Sequence, residues 1–279
     1  MKTIETKTIT QTIKKMCLET GIILDKTTLK KLKEAKSIED NKTAIFALDI
    51  MIENASLAER TTTPLCQDTG MAVVFVDIGQ DLRIVGGYIE EAINEGVRQA
   101  YREGYFRKSV LDSISRKNTG DNTPAIIHYN IIKGDSLHLK VMAKGFGSEN
   151  MSRLFMLTPS EGIEGIKKSI ITAVKESGNK PCPPVVVGVG IGGTMEKAAL
   201  LSKKALFRDI LSKNPDPKLN ELENDLLEQI NKLDIGPQGL GGKTTALKVL
   251  IEKYPTHIAG LPVAVTIQCH AVRHTAITL

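Results

Sequence analysis

Three cysteines lie in settings typical of ligands to a metal centre. Cys66 lies in the segment PLCQDTG, Cys182 precedes two prolines, and Cys269 precedes a histidine. They are far apart in the sequence, so only the folded chain could bring them together. Three thiolates meeting at one centre would leave one position of a tetrahedral metal, or one iron of a four-iron cluster, without a protein ligand. Such an open position lets a metal centre activate a substrate.

The residues next to Cys66 indicate a catalytic role for its segment. Gln67 and Asp68 place an amide and a carboxylate directly beside a candidate metal ligand. A carboxylate there can act as a general base, and an amide can hold a carboxylated substrate. The alternative is that Asp68 only caps a turn through an Asx hydrogen bond. Residue types and spacing alone leave both interpretations open.

The fourth cysteine, Cys17, is predicted to be a small buried residue, because it lies on the apolar face of an N-terminal helix. A buried structural thiol also remains an alternative for each of the other three taken singly. Four cysteines in 279 residues are too few for a disulfide framework, and no secretion signal supports one. We therefore expect a reducing, cytoplasmic compartment.

Composition and charge argue against nucleic-acid and membrane functions. The formal net charge is only +5, and the basic residues are not banded with aromatic ones, so the electrostatic footprint of a nucleic-acid-binding protein is weak. No stretch of apolar residues is long enough for a signal sequence or a membrane span.

The elements that must position these residues alternate between helices and strands, which predicts an α/β fold with a mixed sheet packed by helices. We expect a single catalytic domain over residues 1–279, with residues 1–60 as its helical N-terminal part. Further helices are predicted at about 88–104, 158–177, 195–211 and from Pro217. Strands are predicted at 71–78, 125–132, 137–143 and 185–187, with 125–143 as a hairpin that leads into a glycine-rich turn at 144–150.

Two glycine motifs resemble nucleotide-binding sequences. Residues 188–193 satisfy G-x-G-x-x-G, but the second strand with its acidic end does not follow, so we interpret them as a tight strand-to-helix turn. Residues 239–244 resemble the end of a Walker A loop, yet Pro237 occupies the position of its first glycine. The segment before them, 231–235, continues a helical pattern, so we predict a glycine-rich turn here.

Six motifs in order resemble the α subunit of the iron–sulfur class I fumarate hydratases, of which the L-tartrate dehydratase α subunits are close relatives. The resemblance extends from about residue 40 to the end of the chain. The motifs are PLCQDTG at 64–70, KGFGSEN at 144–150, CPP at 182–184, GVGIGGT at 188–194, IGPQGLGG at 235–242 and QCHA at 268–271.

The resemblance implies a [4Fe–4S] cluster held by three cysteines, here Cys66, Cys182 and Cys269. Its fourth iron would bind the substrate hydroxyl and a carboxylate oxygen as a Lewis acid. Carried over to this sequence, Gln67 and Asp68 would contact the substrate. Asp68 would assist proton transfer at the carbon next to a carboxylate.

The resemblance also implies three further substrate-binding residues. Arg107 lies where the family has an arginine, whose guanidinium could clamp a dicarboxylate in a bidentate manner. Gly145 and Gly147 match a close approach of the backbone to the substrate. The alternatives are a solvated arginine at a helix end and glycines that only form a turn.

Single-chain fumarases of the class continue past the third cysteine into a second domain, which we expect this chain to lack. We therefore expect a separate β subunit, in an α2β2 enzyme that interconverts (S)-malate and fumarate. L-tartrate dehydratase is an alternative, although that relative typically has a Gly-Gly-Gly-Cys turn where this chain has KGFGS at 144–148. A non-catalytic module, in which the three cysteines and His270 or His274 hold zinc, is a third possibility.

Overall fold

The computed structural model describes residues 2–279, and it confirms an α/β fold with mixed sheets and an N-terminal helical segment. The helices are α1 (Thr6–Ile22), α2 (Lys26–Ile38), α3 (Lys42–Thr61), α4 (Ile89–Glu103), α5 (Phe146–Glu149), α6 (Gly162–Ser177), α7 (Met195–Ala205) and α8 (Pro217–Asn231). The strands are β1 (Thr3–Glu5), β2 (Met71–Gly79), β3 (Arg83–Val85), β4 (Ile126–Ile132), β5 (Leu137–Lys144), β6 (Arg153–Leu157), β7 (Val185–Gly192), β8 (Ala246–Tyr254), β9 (Leu261–Gln268) and β10 (His274–Thr278).

The chain divides into two units, each built from separated segments. Unit 1 comprises Met1–Asp25, Asn54–Phe146 and Arg273–Leu279, and unit 2 comprises Lys26–Glu53 and Gly147–Val272. Helix α3 therefore contributes its first part to unit 2 and its last part to unit 1. Folding as one domain over residues 1–279 stays a prediction.

Unit 1 is built on a four-stranded sheet in the order β10-β5-β2-β4. Strand β2 runs parallel to β4 and antiparallel to β5, and β10 pairs antiparallel with β5. The predicted hairpin over 125–143 is therefore wrong, because β2 lies between its two strands. The segment 133–136 connects strands that are not neighbours in the sheet.

The core of unit 1 follows the predicted periodicities. Ile9, Ile13, Met16 and Cys17 on α1 are fully or almost fully buried. They pack with α4 and with alternate residues of β2, of which Val74 and Val76 are members. Burial raises the pKa of the Cys17 thiol to about 12, so this cysteine is confirmed as a small apolar core residue.

Unit 2 is built on a second four-stranded sheet in the order β6-β9-β7-β8. Strand β7 is parallel to β8 and antiparallel to β9. One face of β7, formed by Val185, Val187 and Val189, packs in a core to which α6 and α8 contribute the aliphatic residues Ile166, Ile170, Val174, Leu222, Leu226 and Ile230. The other face of β7 receives α7.

The first two glycines of the G-x-G-x-x-G motif, Gly188 and Gly190, lie within β7 and only Gly193 follows it, so the predicted strand-to-helix turn at 188–193 is wrong for most of its length. A Cβ atom on Gly188 would lie 2.2 Å from the carbonyl oxygen of Ser202, and one on Gly190 would lie 2.0 Å from that of Ala198. Both carbonyls belong to α7. These glycines are required because the helix packs directly on the strand backbone.

Gly190→Ala is expected to lower the free energy of unfolding by about 3 kcal/mol, the upper end of the range for overpacked sites. The added methyl group would meet helix backbone, which cannot move aside as a flexible side chain would. Gly260→Ala is the matched control, since a Cβ there would meet nothing within 4 Å. Urea denaturation followed by circular dichroism compares the two variants, and equal midpoints would contradict this account of the glycine motif.

The capping box at Thr158 and the helix that begins at Pro217 are confirmed. Glu161 accepts a hydrogen bond from the Thr158 backbone, and Asp216 caps α8 by accepting from the backbone of Lys218 and Leu219. The helix predicted over 195–211 ends earlier, at Ala205, and α8 ends at Asn231, so 232–235 do not continue it. The turn predicted at 144–150 contains the single helical turn α5.

No helix within residues 2–279 combines the length and the apolar character needed to cross a membrane.

Candidate active-site residues

The segment that carries Cys66 joins α3 to β2. Hydrogen bonds to Leu65, the residue before Cys66, fix this segment in unit 1. The backbone N–H of Leu65 donates to the Gly21 carbonyl (2.9 Å), and the side chain of Asn54 donates to the Leu65 carbonyl (2.9 Å). Leu65 itself is buried, whereas Cys66 is partly exposed and Gln67 is exposed. An apolar anchor thus holds a segment whose next two side chains remain accessible.

The carboxylate of Asp68 accepts two backbone hydrogen bonds in unit 1. Its Oδ1 accepts from Gly70 N (3.1 Å), and its Oδ2 accepts from Phe146 N (2.7 Å). The first is the Asx-type bond considered from the sequence. The second comes from a segment far along the chain and fixes the carboxylate in one orientation. Asp68 is therefore more than the cap of a local turn.

Gly145 lies directly under this carboxylate. A Cβ at position 145 would come within 3.0 Å of Asp68 Oδ2 and 3.0 Å of Arg273 Nη2. Glycine is thus what allows the carboxylate and the guanidinium to approach this part of the backbone. The resemblance implies Gly145 as a site residue, and these close approaches are a structural reason for a glycine at this position.

Arg107 lies beside the same segment. Its side chain is exposed, and its carbonyl accepts a hydrogen bond from Thr69 Oγ1 (2.8 Å).

The amide side chain of Asn122 forms a second link between the same two segments. Its Oδ1 accepts from Ser109 N (2.7 Å), and its Nδ2 donates to the Gly70 carbonyl (3.2 Å). Unit 1 therefore brings together the segments that carry Gln67, Asp68, Arg107 and Gly145.

Three buried residues around Asp68 were not predicted from the sequence: Tyr101, Asn122 and Arg273. Arg273 Nη1 donates to the Asp68 carbonyl (2.6 Å), and the Tyr101 hydroxyl donates to the carbonyls of Thr69 (2.8 Å) and Gly70 (3.0 Å). Burial raises the pKa of Tyr101 well above its usual value, which keeps the hydroxyl protonated as a donor. The sequence offered one signal for Arg273, a charged residue that directly follows the apolar residues Ala271 and Val272.

Unit 2 brings Cys182 and Cys269 close together. Cys182 precedes β7 and Cys269 follows β9, and these strands are antiparallel neighbours whose pairing begins at Val186 and Gln268. The carbonyl of Cys182 lies 2.9 Å from His270 Nδ1, which must carry the proton because a carbonyl can only accept. The two cysteines thus lie at the same edge of the sheet.

Cys182 has an unusual backbone. Its φ of 54° lies in the left-handed region, which costs a non-glycine residue conformational energy. Its side chain is exposed, whereas Pro181 and Pro183 on either side are buried. The same loop approaches Gly147, where a Cβ would lie 3.4 Å from the Lys180 carbonyl. A strained and exposed thiol at a loop end is the arrangement expected of a ligand.

The chemistry of the three predicted cysteine ligands suits a thiolate-bound metal centre. Cys66, Cys182 and Cys269 form no disulfide and all remain at least partly exposed, unlike the buried Cys17. Gln268, itself buried, directs Nε2 towards Cys269 Sγ at 3.9 Å, a weak donor contact to the sulfur. Soft thiolates favour iron–sulfur clusters, zinc and copper(I).

A compact site for a single metal ion is not found. Within residues 2–279, no group of three or more His, Cys, Asp or Glu side chains is arranged to hold a metal ion. His270 hydrogen-bonds to the Cys182 backbone, and His274 lies in β10, where it pairs with Met142 of β5. The three thiols as ligands to one centre remain a prediction that the chemistry of the donor set supports.

Comparison with known proteins gives consistent results over most of the chain. The family model described as "Fumarate hydratase (Fumerase)" matches residues 10–278. The chain is 43% identical over 272 residues to the Methanocaldococcus jannaschii protein named "Putative L(+)-tartrate dehydratase subunit alpha", with 95% of each chain covered. It is 35% identical over 247 residues to the L(+)-tartrate dehydratase subunits alpha of Escherichia coli and Shigella sonnei, covering 87% of this chain and 81% of theirs.

Proposed function

The chain belongs to the fumarate hydratase family, and on that basis we propose that it is the α subunit of a hydro-lyase that interconverts (S)-malate and fumarate. One observation supports this proposal above the others: the Asp68 carboxylate is fixed by two backbone N–H groups beside Gly145 and the Arg107 segment. A fixed carboxylate beside a segment that carries an exposed arginine suits proton transfer on a dicarboxylate.

The proposed role of Asp68 is that of a general base in the dehydration direction. A proton leaves the carbon next to one carboxylate and passes to Asp68, while the C–O bond on the neighbouring carbon breaks and the hydroxyl leaves as hydroxide, which becomes water when the proton is returned. In hydration Asp68 returns the proton. The hydrogen bonds from Gly70 and Phe146 direct the carboxylate, so that little reorientation is needed at the moment of transfer.

We propose that Arg107, Gln67, Gly145 and Gly147 hold the dicarboxylate. Arg107 has an exposed side chain on a backbone fixed by Thr69, so its guanidinium can reach a carboxylate as a bidentate donor. The exposed amide of Gln67 can donate to a second oxygen. Gly147 leaves exposed backbone, whereas Gly145 is buried beside the proton acceptor itself, where a side chain would meet the Asp68 carboxylate.

Cys66, Cys182 and Cys269 would hold a [4Fe–4S] cluster. When bound, the cluster would supply a Lewis acid at the iron that has no protein ligand and would weaken the C–O bond that breaks. The buried amide of Gln268 would stabilise the negative sulfur of Cys269 from one side. A reducing cytoplasm is the compartment we propose, because it keeps such thiols available as ligands.

We further propose a β subunit as partner, in an α2β2 assembly. The support is that the relatives from Escherichia coli and Shigella sonnei are named as subunits alpha. The catalytic tests below therefore use the complex of this chain with a β subunit, reconstituted anaerobically with iron and sulfide.

L-tartrate dehydration is the second candidate, and the names of the relatives favour it. Both substrates are four-carbon dicarboxylates that lose water between adjacent carbons, but tartrate carries an additional hydroxyl. The motif at 144–148 contains Phe146, which is exposed next to Asp68 and offers an apolar ring rather than a hydrogen-bonding partner for that hydroxyl. This observation supports malate as the substrate.

The ratio of kcat/KM for (S)-malate to kcat/KM for L-tartrate distinguishes the two functions. We expect a ratio of about 5–150, because a hydroxyl without a hydrogen-bonding partner costs on the order of 1–3 kcal/mol. The measurement is the change in absorbance that accompanies dehydration of each substrate by the αβ complex. A ratio below one would assign the chain to tartrate dehydration instead.

A further inference from the structure

Three consecutive carbonyl groups, those of Asp68, Thr69 and Gly70, are each bound by a buried side chain. Arg273 Nη1 donates to the first, the Tyr101 hydroxyl donates to the second and third, and the amide of Asn122 also donates to the third. All three side chains are at most 2% exposed. They come from separate parts of unit 1 and together hold the backbone on which the Asp68 carboxylate is mounted.

Arg273 is the unusual member of this set. A fully buried guanidinium is expensive to remove from water, and nature uses it rarely unless its charge or its donors are needed. Its backbone carbonyl is fixed by Ala143 N (2.9 Å), which ties it to β5. Within residues 2–279 its Nε is buried with no acceptor in hydrogen-bond range. An apolar residue could fill this space at lower cost if only packing were required.

The geometry relates Arg273 to both ends of Asp68. Its Nη1 donates to the backbone carbonyl of Asp68. Its Nη2 lies 3.0 Å from the position that a Cβ of Gly145 would occupy, and Asp68 Oδ2 lies 3.0 Å from that same position. The guanidinium therefore lies against the residue that carries the proposed base, and Arg273 is only 2% exposed.

We propose that Arg273 is a positioning residue that sets the orientation of Asp68 for proton transfer. The inference rests on the proposed function, because it assigns Asp68 as the base. Arg273 does not touch substrate; it acts through the Asp68 backbone, with Tyr101 and Asn122 completing the support. A displacement of about 1 Å at a reacting group is enough to lower turnover by about 10²-fold.

The test uses Arg273→Lys and Arg273→Met in the reconstituted αβ complex. We expect kcat to fall by about 10–10²-fold in the Met variant and by less in the Lys variant, with KM within about twofold of the wild type. Arg98→Lys is the matched control, since Arg98 is an arginine of unit 1 whose contacts are ion pairs with Asp121 and Glu95. Iron content and the unfolding midpoint are measured for every variant, and Arg273→Lys covers the case in which Arg273→Met does not fold.

A double-mutant cycle with Asp68→Asn separates positioning from general stabilisation. If Arg273 acts through Asp68, then Arg273→Lys should have almost no further effect on kcat once the carboxylate is gone. Losses that multiply in the double variant, or a kcat for Arg273→Met equal to that of the wild type, would overturn the inference.

Hydrogen exchange at the Phe146 amide gives a readout that does not depend on turnover. This amide donates to Asp68 Oδ2, so its exchange should accelerate in Arg273→Lys but not in Arg98→Lys. Unchanged exchange would overturn the positioning role. A cluster-loaded wild-type complex that dehydrates neither malate nor tartrate would contradict the proposed function, and the exchange result would still decide whether Arg273 orients Asp68.

Discussion

Replacing Asp68 with asparagine is expected to lower kcat of the αβ complex by about 10²–10⁴-fold, the usual contribution of a general base. The amide keeps the shape of the side chain and can still accept from Gly70 N or Phe146 N through its oxygen, but it cannot take a proton. Since the substrate is held mainly by Arg107 and Gln67 in our proposal, KM should change much less than kcat. Steady-state kinetics on (S)-malate measure both.

Asp81→Asn is the control for this substitution. Asp81 is an exposed aspartate of unit 1 in the turn after β2, and it should retain the kcat of the wild type. A full kcat in Asp68→Asn would remove this carboxylate from the chemistry. A rise in KM without a fall in kcat would make Asp68 a binding residue instead.

Replacing Cys182 with serine is expected to eliminate the cluster. The wild-type chain, reconstituted under anaerobic conditions, should bind about four irons with a brown charge-transfer absorption, and Cys182→Ser should bind nearly none. Cys182 is exposed, so the change from a thiol to a hydroxyl removes little buried surface. The measurements are iron and sulfide per chain together with the visible spectrum.

Cys17→Ala is the control, because Cys17 is buried in the core of unit 1 with a pKa raised to about 12 by burial and so is not available as a thiolate ligand. It should keep the iron content and lose only some stability. A colourless wild-type chain with stoichiometric zinc would contradict the cluster and favour a zinc-stabilised module. Iron that persists in Cys182→Ser would show that another group completes the ligand set.

Individual helices and strands could be predicted because their periodicity depends only on residues that are close in the sequence. The buried stripe of α1, the alternation in β2 and the cap of α8 each follow from residues within one element. The hairpin over 125–143 failed because nothing in residues 133–136 records that β2 inserts between the two strands. The turn predicted at the glycines of β7 was wrong, because these glycines are explained only by the close packing of α7 on the strand.

The candidate site divides in the same way. Cys66, Gln67 and Asp68 could be selected from residue type and adjacency, and Arg107 and Gly145 followed from the resemblance. Tyr101 could not be distinguished from an ordinary core aromatic of α4, since its contacts with Thr69 and Gly70 are made only in the fold. Arg273 was passed over because a single arginine near the end of a chain is usually solvated.

The hydrogen bond from Arg273 to Asp68 joins residues 205 positions apart, and this separation has a consequence for synthesis of the chain. At the usual rates of translation the partner of Asp68 emerges about 10–40 s after Asp68 itself. Strand β10 follows Arg273 directly, so β5 waits for its neighbour while the larger segment of unit 2, Gly147–Val272, is being made. The nascent chain carries an open strand edge for most of this time, which makes it a natural client for chaperones and a chain best produced at low temperature.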